Sequence, residues 1–241
     1  MKPLPTDRMI AHKEGAIGWI TFNNPARHNA VSLAMWEALH QIVTDFEADP
    51  EIRVIVVKGA GDKAFVSGAD ISEFEEKRSS AETTRAYNER SQAASLALRH
   101  VGKPTIAMIR GWCVGGGVSV ALSCDLRIAA EGASFAVPAA KLGLGYEFEG
   151  VRKLVEVVGP SFAREIFYTA RQFSAQEALA MGLVNRVVPA DALEGYVRDY
   201  SATRSCARRW WTAASPAPTT WRAGRPSWKS ASRGSAGASP P

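Results

Sequence analysis

The chain has 241 residues, of which 46% are hydrophobic and 22% are charged, and this ordinary globular composition excludes collagen-like, coiled-coil and wholly disordered proteins. Its net charge of +5 arises in the last 38 residues, because the first 203 carry 22 Lys and Arg against 24 Asp and Glu, so the main body presents no general basic surface. Three cysteines without a CxxC spacing, no run of about 18 apolar residues and no apolar secretory leader exclude a disulfide scaffold and a membrane span and favour a cytoplasmic protein.

The first 70 residues predict a hairpin, one helix and two further strands. Gly15 separates the two arms of the hairpin, and Ser32 is placed to cap the start of the helix. The third strand is a continuous apolar run, which is typical of a parallel strand that is buried on both faces. In chain order these elements are the hairpin at residues 9–13 and 17–22, the helix at 29–45 and the strands at 53–58 and 64–67.

The rest of the body alternates helices with apolar runs. A glycine turn at residues 111–117 joins a strand to a short helix, and Gly159-Pro160 separates two later helices. The predicted helices are 81–100, 118–124, 149–158, 161–169, 174–181 and 191–203, and the predicted strands are 105–109, 126–130 and 185–188. Strands that alternate with helices predict an α/β fold with a parallel sheet.

The last 38 residues differ sharply in composition from the body. They contain six arginines, one lysine and four of the seven tryptophans, but no acidic residue and no Leu, Ile, Val, Met or Phe, so they cannot build a core. We therefore divide the chain into a domain at 1–203 and an atypical tail at 204–241. Three interpretations of the tail remain open: a frame-shifted reading of GC-rich DNA, natural disorder, or an arm that binds nucleic acid.

Two glycine turns place backbone N–H groups where an anion can bind. In the first, a strand ends at Ser67, Gly68 permits a tight turn, and the N–H of Ala69 is left to point outward. In the second, Gly115-Gly116-Gly117 opens a helix, whose first N–H groups and dipole favour negative charge. Two such N–H groups that converge on one oxygen form an oxyanion hole.

The order of these motifs resembles the enoyl-CoA hydratase/isomerase family, or crotonase superfamily, from about residue 10 to about residue 203. The resemblance rests on many landmarks in sequence order rather than on one motif. They are Asn24-Pro25, Asn29-Ala30, residues 63–71, Lys103-Pro104, Gly111, Gly115-Gly116-Gly117, Cys124-Asp125, Phe135, Pro138, Leu142-Gly143 and residues 178–185.

The resemblance implies a crotonase-like spiral of ββα units that assembles as a trimer, and an acyl-CoA lyase or isomerase that needs no cofactor and no metal beyond its CoA substrate. Members hold the thioester oxygen between two backbone N–H groups, which here belong to Ala69 and Gly116. The turns that bind CoA correspond to Arg27, Gly68, Asp70, Ile71, Ser72 and Gly115. Alternatively, Arg27 is a solvated surface charge. Because family members use C-terminal helices to join subunits, the proline-rich tail predicts a loosened trimer.

The sequence departs from the family at the two glutamates that hydratases use to activate water. Ser119 stands at the first position and Ala139 at the second. A serine hydroxyl of ordinary pKa cannot replace a carboxylate base, and alanine carries no proton to donate. Ordinary two-glutamate hydration is therefore not expected.

Two nearby residues are candidates for the missing chemistry, either decarboxylation of a malonyl-type CoA aided by Tyr146 or hydrolysis of a thioester or a carbon–halogen bond through Glu147. Tyr146 stands where family members that decarboxylate methylmalonyl-CoA carry a tyrosine, and Glu147 stands where members that dehalogenate aromatic acyl-CoA carry a nucleophilic aspartate. Alternatively, Tyr146 packs on the following helix and Glu147 caps it.

Other polar residues are interpreted as structural. Four scattered histidines have no metal-ligand spacing, Cys113 and Cys124 lie in apolar segments, and Asp125 lies at a turn. A protein that binds CoA without turnover remains an alternative to an enzyme. A nucleic-acid binder that acts through the tail is a second alternative, and it predicts binding that weakens steeply with salt.

Overall fold

The computed structural model describes residues 2–70, 81–146 and 148–203. Ile71, Ser72 and Glu147 of the predicted site, and the whole tail at 204–241, lie outside these described residues.

The described strands form two sheets. The larger has the order β1-β2-β3-β5-β7-β10; β1 and β2 form the predicted antiparallel hairpin, and every other neighbouring pair is parallel. The smaller has the order β4-β6-β8-β9. The strands are β1 (Met9–Glu14), β2 (Ile17–Phe22), β3 (Val54–Gly59), β4 (Ala64–Val66), β5 (Thr105–Ile109), β6 (Trp112–Val114), β7 (Leu126–Ala130), β8 (Ser134–Ala136), β9 (Phe173–Ser174) and β10 (Arg186–Val188).

The described helices agree with the predicted ones to within a few residues, except the short helix α4, which was not predicted. They are α1 (Leu33–Ala48), α2 (Ala81–His100), α3 (Gly116–Ser123), α4 (Ala139–Leu142), α5 (Phe148–Thr169), α6 (Ala175–Ala180) and α7 (Leu193–Thr203). The predicted break at Gly159-Pro160 is confirmed as a kink inside α5, where Gly159 has φ 74°. In the described part of the chain, no helix is long and apolar enough to cross a membrane.

The larger sheet is buried on both faces. Ile20, Ile55 and Val57 belong to the main core, which also contains the apolar side of α1. Trp19 and Val56 point to the opposite face and pack in a second cluster with Leu193 and Val197 of α7. Burial on both faces explains why the central strands are continuous apolar runs rather than alternating ones.

Asn29 is the buried connection between the first turn and the strands. Its side chain is fully buried; its amide donates to the carbonyls of Ala60 at 3.0 Å and Ala64 at 2.7 Å, and its Oδ1 accepts from the N–H of Asn24 at 2.9 Å. Asn29 has a left-handed backbone, φ 57°, so α1 begins at Leu33 and not at residue 29 as predicted.

Ser32 caps α1 as the sequence predicted, since its side chain accepts a hydrogen bond from the N–H of Met35. We expect Ser32→Ala to lower the free energy of unfolding by about 1 kcal/mol, because a first-turn N–H loses its acceptor. Urea unfolding measures this change. Ser91→Ala, in the interior of α2, is the control: its hydroxyl donates only within its own helix, and we expect no loss there. Equal losses in both variants would contradict the capping role.

Candidate active site

The smaller sheet brings the two glycine turns together. Strands β4 and β6 are parallel neighbours, with Ala64 opposite Trp112 and Val66 opposite Cys113. Because parallel strands end at the same edge of a sheet, the turn that follows β4 and the turn that follows β6 must lie side by side. The sequence places Gly68 in the first turn and Gly115 in the second.

The distances show how closely these turns approach. A Cβ built on Gly116 would lie 3.6 Å from the Cα of Gly68 and 3.9 Å from the nitrogen of Ala69. Gly68 has φ +109° and Gly115 has φ +53°, conformations that residues with side chains rarely adopt. The glycines therefore permit both the backbone geometry and the close approach.

The orientation of the Ala69 N–H is set by Val31, which forms an isolated parallel bridge with Ala69. The N–H of Val31 donates to the carbonyl of Gly68 at 2.9 Å, and the N–H of Asp70 donates to the carbonyl of Val31 at 3.0 Å. In a planar trans peptide the C=O and N–H point in opposite directions. Because Val31 holds the Gly68 oxygen, the Ala69 N–H in the same peptide points away from Val31.

Gly116 is the first residue of α3, so its N–H has no acceptor inside the helix and lies at the positive end of the helix dipole. Within the described ranges, neither this N–H nor that of Ala69 donates to a backbone oxygen. Two neighbouring donors without a backbone acceptor can together bind a single oxygen atom that carries negative charge.

The family model described as enoyl-CoA hydratase/isomerase matches residues 12–217. The chain belongs to the enoyl-CoA hydratase/isomerase family. The sequence resemblance is thereby confirmed, and the chain is a member of a family of enzymes.

Known members of this family are similar along most of the chain. A short-chain-enoyl-CoA hydratase from Clostridium acetobutylicum is 36% identical over 182 residues, which are 76% of this chain and 69% of that protein. A crotonyl-CoA hydratase from Syntrophomonas wolfei is 35% identical over 78% of this chain and 71% of its own length. The solved structure of an enoyl-CoA hydratase/carnithine racemase from Magnetospirillum magneticum, 38% identical, aligns with a TM-score of 0.82 over 86% of this chain and 79% of that one. The predicted crotonase fold is confirmed.

Ser119 and Ala139 occupy the two positions at which the resemblance places the glutamates of hydratases. Ser119 is half-buried on α3, one turn beyond Gly116. Ala139 is 5% exposed and begins α4 directly after Pro138. Neither side chain can take a proton from water at neutral pH.

The buried side chain of Lys153 is linked to Ser119 through the hydroxyl of Ser123. Lys153 of α5 is 7% exposed and donates to the hydroxyl of Ser123 at 3.2 Å, and that hydroxyl donates to the carbonyl of Ser119 at 2.9 Å. These contacts join α5 to the far end of α3. Lys153 was not predicted as a site residue, and nothing in its sequence position marks it as buried.

Arg27 and Asp70, both predicted to contact CoA, form an ion pair. Arg27 Nη1 lies 3.0 Å from Asp70 Oδ1, and Arg8 Nη1 lies 3.8 Å from Asp70 Oδ2. The Asp70 side chain is only 3% exposed, whereas that of Arg27 is 52% exposed. The buried carboxylate therefore anchors the half-exposed Arg27 guanidinium at the surface. A contact with CoA stays a prediction, as it does for Ile71 and Ser72.

Tyr146 lies between α4 and α5, and its ring packs edge-on against Phe167 at a centroid distance of 5.1 Å. The side chain is 40% exposed. Burial of the ring raises the pKa of Tyr146 above its ordinary value of 10.0. The phenol therefore keeps its proton at neutral pH, where it can donate a hydrogen bond but cannot act as a base.

Cys113, Cys124 and Asp125, three of the residues interpreted as structural, lie in the core or bond to the backbone of the fold. Cys113 and Cys124 are buried in the core, and desolvation raises the pKa of Cys124 to about 12, so this thiol is unreactive at neutral pH. The carboxylate of Asp125 accepts from the N–H and the hydroxyl of Thr105 at 2.7 and 2.9 Å. Asp125 therefore links the start of β5 to the end of α3.

Proposed function

We propose that the chain binds an acyl-CoA and stabilises the enolate of its thioester with the N–H groups of Ala69 and Gly116. The observation that carries this proposal is the close approach of the two glycine turns, with both N–H groups free of backbone acceptors in the described residues. Negative charge that develops on the thioester oxygen would then be neutralised by two fixed dipoles, which need not reorient during the reaction.

Of the reactions that pass through such an enolate, hydration is the least supported. Hydration needs a group that takes a proton from water and a group that delivers one to carbon. Ser119 and Ala139 supply neither. The proposal therefore favours a reaction that starts without removal of a proton by a carboxylate.

Decarboxylation of a malonyl-type CoA meets this requirement. The bond between the α-carbon and the carboxylate breaks, its electron pair moves into the thioester as the enolate, and CO₂ leaves. The α-carbon then takes up one proton to give the shorter acyl-CoA. The N–H groups of Ala69 and Gly116 stabilise the enolate, and Tyr146, whose phenol stays protonated, donates a hydrogen bond that positions the carboxylate before it leaves.

We expect Tyr146→Phe to slow decarboxylation of methylmalonyl-CoA about tenfold or more, since it removes the donor but keeps the ring on Phe167. Because the pKa of Tyr146 is raised above 10.0, its proton is present below that pH and is lost only above it. The rate of the wild-type enzyme should therefore show no loss from this group until the pH passes 10. Release of CO₂ across a pH series measures both effects.

Tyr168→Phe is the matched control, because Tyr168 lies on α5 and is 76% exposed. A rate that falls equally in both variants, or that is unchanged in Tyr146→Phe, would remove Tyr146 from the mechanism. Crotonyl-CoA is assayed in parallel with Tyr146→Phe and Glu147→Gln. Hydration that survives both substitutions would contradict decarboxylation and also the alternative of hydrolysis or dehalogenation through Glu147.

A protein that binds CoA without turnover is the second candidate, and the absence of a carboxylate at Ser119 and Ala139 favours it. It predicts tight binding of CoA thioesters with neither CO₂ release nor hydration. Calorimetry of butyryl-CoA binding beside the activity assays separates this candidate from the enzyme.

A further inference from the structure

The carbonyl of Val31 receives two hydrogen bonds. One comes from the N–H of Asp70 at 3.0 Å, and the other comes from the hydroxyl of Tyr87, on α2, at 3.3 Å. Val31 itself is fully buried. The residue that orients the Ala69 N–H is thus contacted by a side chain from a helix that belongs to neither glycine turn.

The Tyr87 hydroxyl is oriented by Trp36 of α1. The indole N–H of Trp36 donates to the Tyr87 oxygen at 3.0 Å. Because an indole nitrogen can only donate, the Tyr87 oxygen must accept here, and its own proton is directed to the Val31 carbonyl. A hydroxyl that accepts one hydrogen bond becomes a stronger donor in the next. Trp36 is 4% exposed and Tyr87 packs against the main core, so both rings are held in place.

These bonds form a continuous path to the candidate site. Trp36 donates to Tyr87, Tyr87 donates to the Val31 carbonyl, and the N–H of Val31 donates to the carbonyl of Gly68. The Gly68 carbonyl and the Ala69 N–H share one rigid peptide plane. The Val31 carbonyl and N–H lie in the two peptides on either side of its Cα, so a displacement of Val31 would shift the Gly68 carbonyl and, with it, the direction of the Ala69 N–H.

We propose that Tyr87 is a positioning residue that aims the Ala69 N–H at the thioester oxygen through Val31. This inference rests on the proposed function, since it assumes that the Ala69 N–H binds that oxygen. Hydrogen bonds to a carbonyl weaken with misalignment, so loss of the Tyr87 hydroxyl reduces polarisation of the thioester without removing a group that touches CoA.

The test uses Tyr87→Phe in the full chain, with butyryl-CoA labelled with ¹³C at the thioester carbonyl as the probe. Infrared difference spectroscopy measures how far binding lowers the carbonyl stretching frequency. We expect a smaller frequency shift in Tyr87→Phe than in the wild type and an unchanged dissociation constant for butyryl-CoA. Turnover of the CoA thioester that the wild type uses as substrate should fall about three- to tenfold, because one long hydrogen bond is lost. Trp36→Phe, which keeps the Tyr87 hydroxyl, should give a smaller change in the same direction.

Tyr168→Phe again serves as the control and should leave the shift at the wild-type value. A full shift in Tyr87→Phe, with normal binding, overturns the role of Tyr87 and leaves the proposed function intact. Equal frequencies for free and bound butyryl-CoA in the wild type overturn the proposed function itself, and the inference with it. Thermal unfolding of each variant shows whether a changed shift accompanies a changed fold; a reduced shift at unchanged stability supports the positioning role.

Discussion

Replacement of Gly116 by proline is expected to lower the turnover of a CoA thioester about 10²- to 10³-fold, because one of the two donors to the enolate oxygen is lost. Proline has no N–H, and its ring would occupy the space into which that N–H points. Its fixed φ is compatible with the first position of a helix, which Gly116 occupies in α3. The change therefore removes the donor and leaves the helix able to form.

Gly116→Ala is the matched control for this substitution. A Cβ at Gly116 meets nothing closer than 3.6 Å, and alanine keeps the N–H. We expect Gly116→Ala to retain most of the activity, so that the difference between the alanine and proline variants reports the contribution of the N–H. Steady-state kinetics on the substrate that the wild type turns over gives this comparison. Similar losses in both variants would show that space at Gly116, and not its N–H, matters.

Gly117, unlike Gly116, should not tolerate a side chain. A Cβ on Gly117 would lie 2.1 Å from the carbonyl oxygen of Val66 and 2.9 Å from its carbonyl carbon. We expect Gly117→Ala to lower the free energy of unfolding by about 3 kcal/mol or more, because backbone atoms of α3 and β4 must separate to admit the methyl group. Gly116→Ala should change stability far less.

The separation of α3 from β4 in Gly117→Ala should also lower activity. Val66 ends β4, the strand that leads into Gly68 and Ala69, so movement of α3 away from β4 separates the two N–H groups. Guanidinium unfolding of the two alanine variants measures the stability difference, and the kinetics of any folded Gly117→Ala protein measure the loss of activity. A Gly117→Ala protein as stable as Gly116→Ala would contradict the close packing of α3 on β4.

The larger sheet and most helices could be predicted from local pattern. The apolar runs that became β3, β5 and β7 are buried on both faces, so their hydrophobicity alone marks them. Ser32 and the Gly159-Pro160 pair mark a helix start and a kink by local geometry. These features depend on residues that are close in sequence, and local patterns report them well.

The smaller sheet was only partly predicted. Residues 111–117 were interpreted as one glycine turn, yet Trp112–Val114 form β6 within them; Ser134–Ala136 and Phe173–Ser174 form β8 and β9, which were not predicted either. These strands have only two or three residues, too few for a periodic pattern. Their partners are distant in sequence, and pairing rather than propensity makes them strands.

The geometry of the candidate site also depends on contacts between residues that are distant in sequence. The two glycine turns were visible as motifs, but their meeting depends on the parallel pairing of β4 with β6, and the direction of the Ala69 N–H depends on Val31. Nothing in the sequence alone distinguishes Tyr87 from the other residues of α2. Its hydroxyl became informative once folding placed it beside Trp36 and Val31.

The infrared spectrum of bound ¹³C-labelled butyryl-CoA tests the pair of N–H donors most directly, since it reports on the thioester carbonyl itself. We expect a carbonyl frequency that falls on binding to the wild type and to Gly116→Ala, and that returns most of the way to the free value in Gly116→Pro. A bound frequency equal to that of free butyryl-CoA in the wild type, or an undiminished shift in Gly116→Pro, would contradict the role of the two N–H donors.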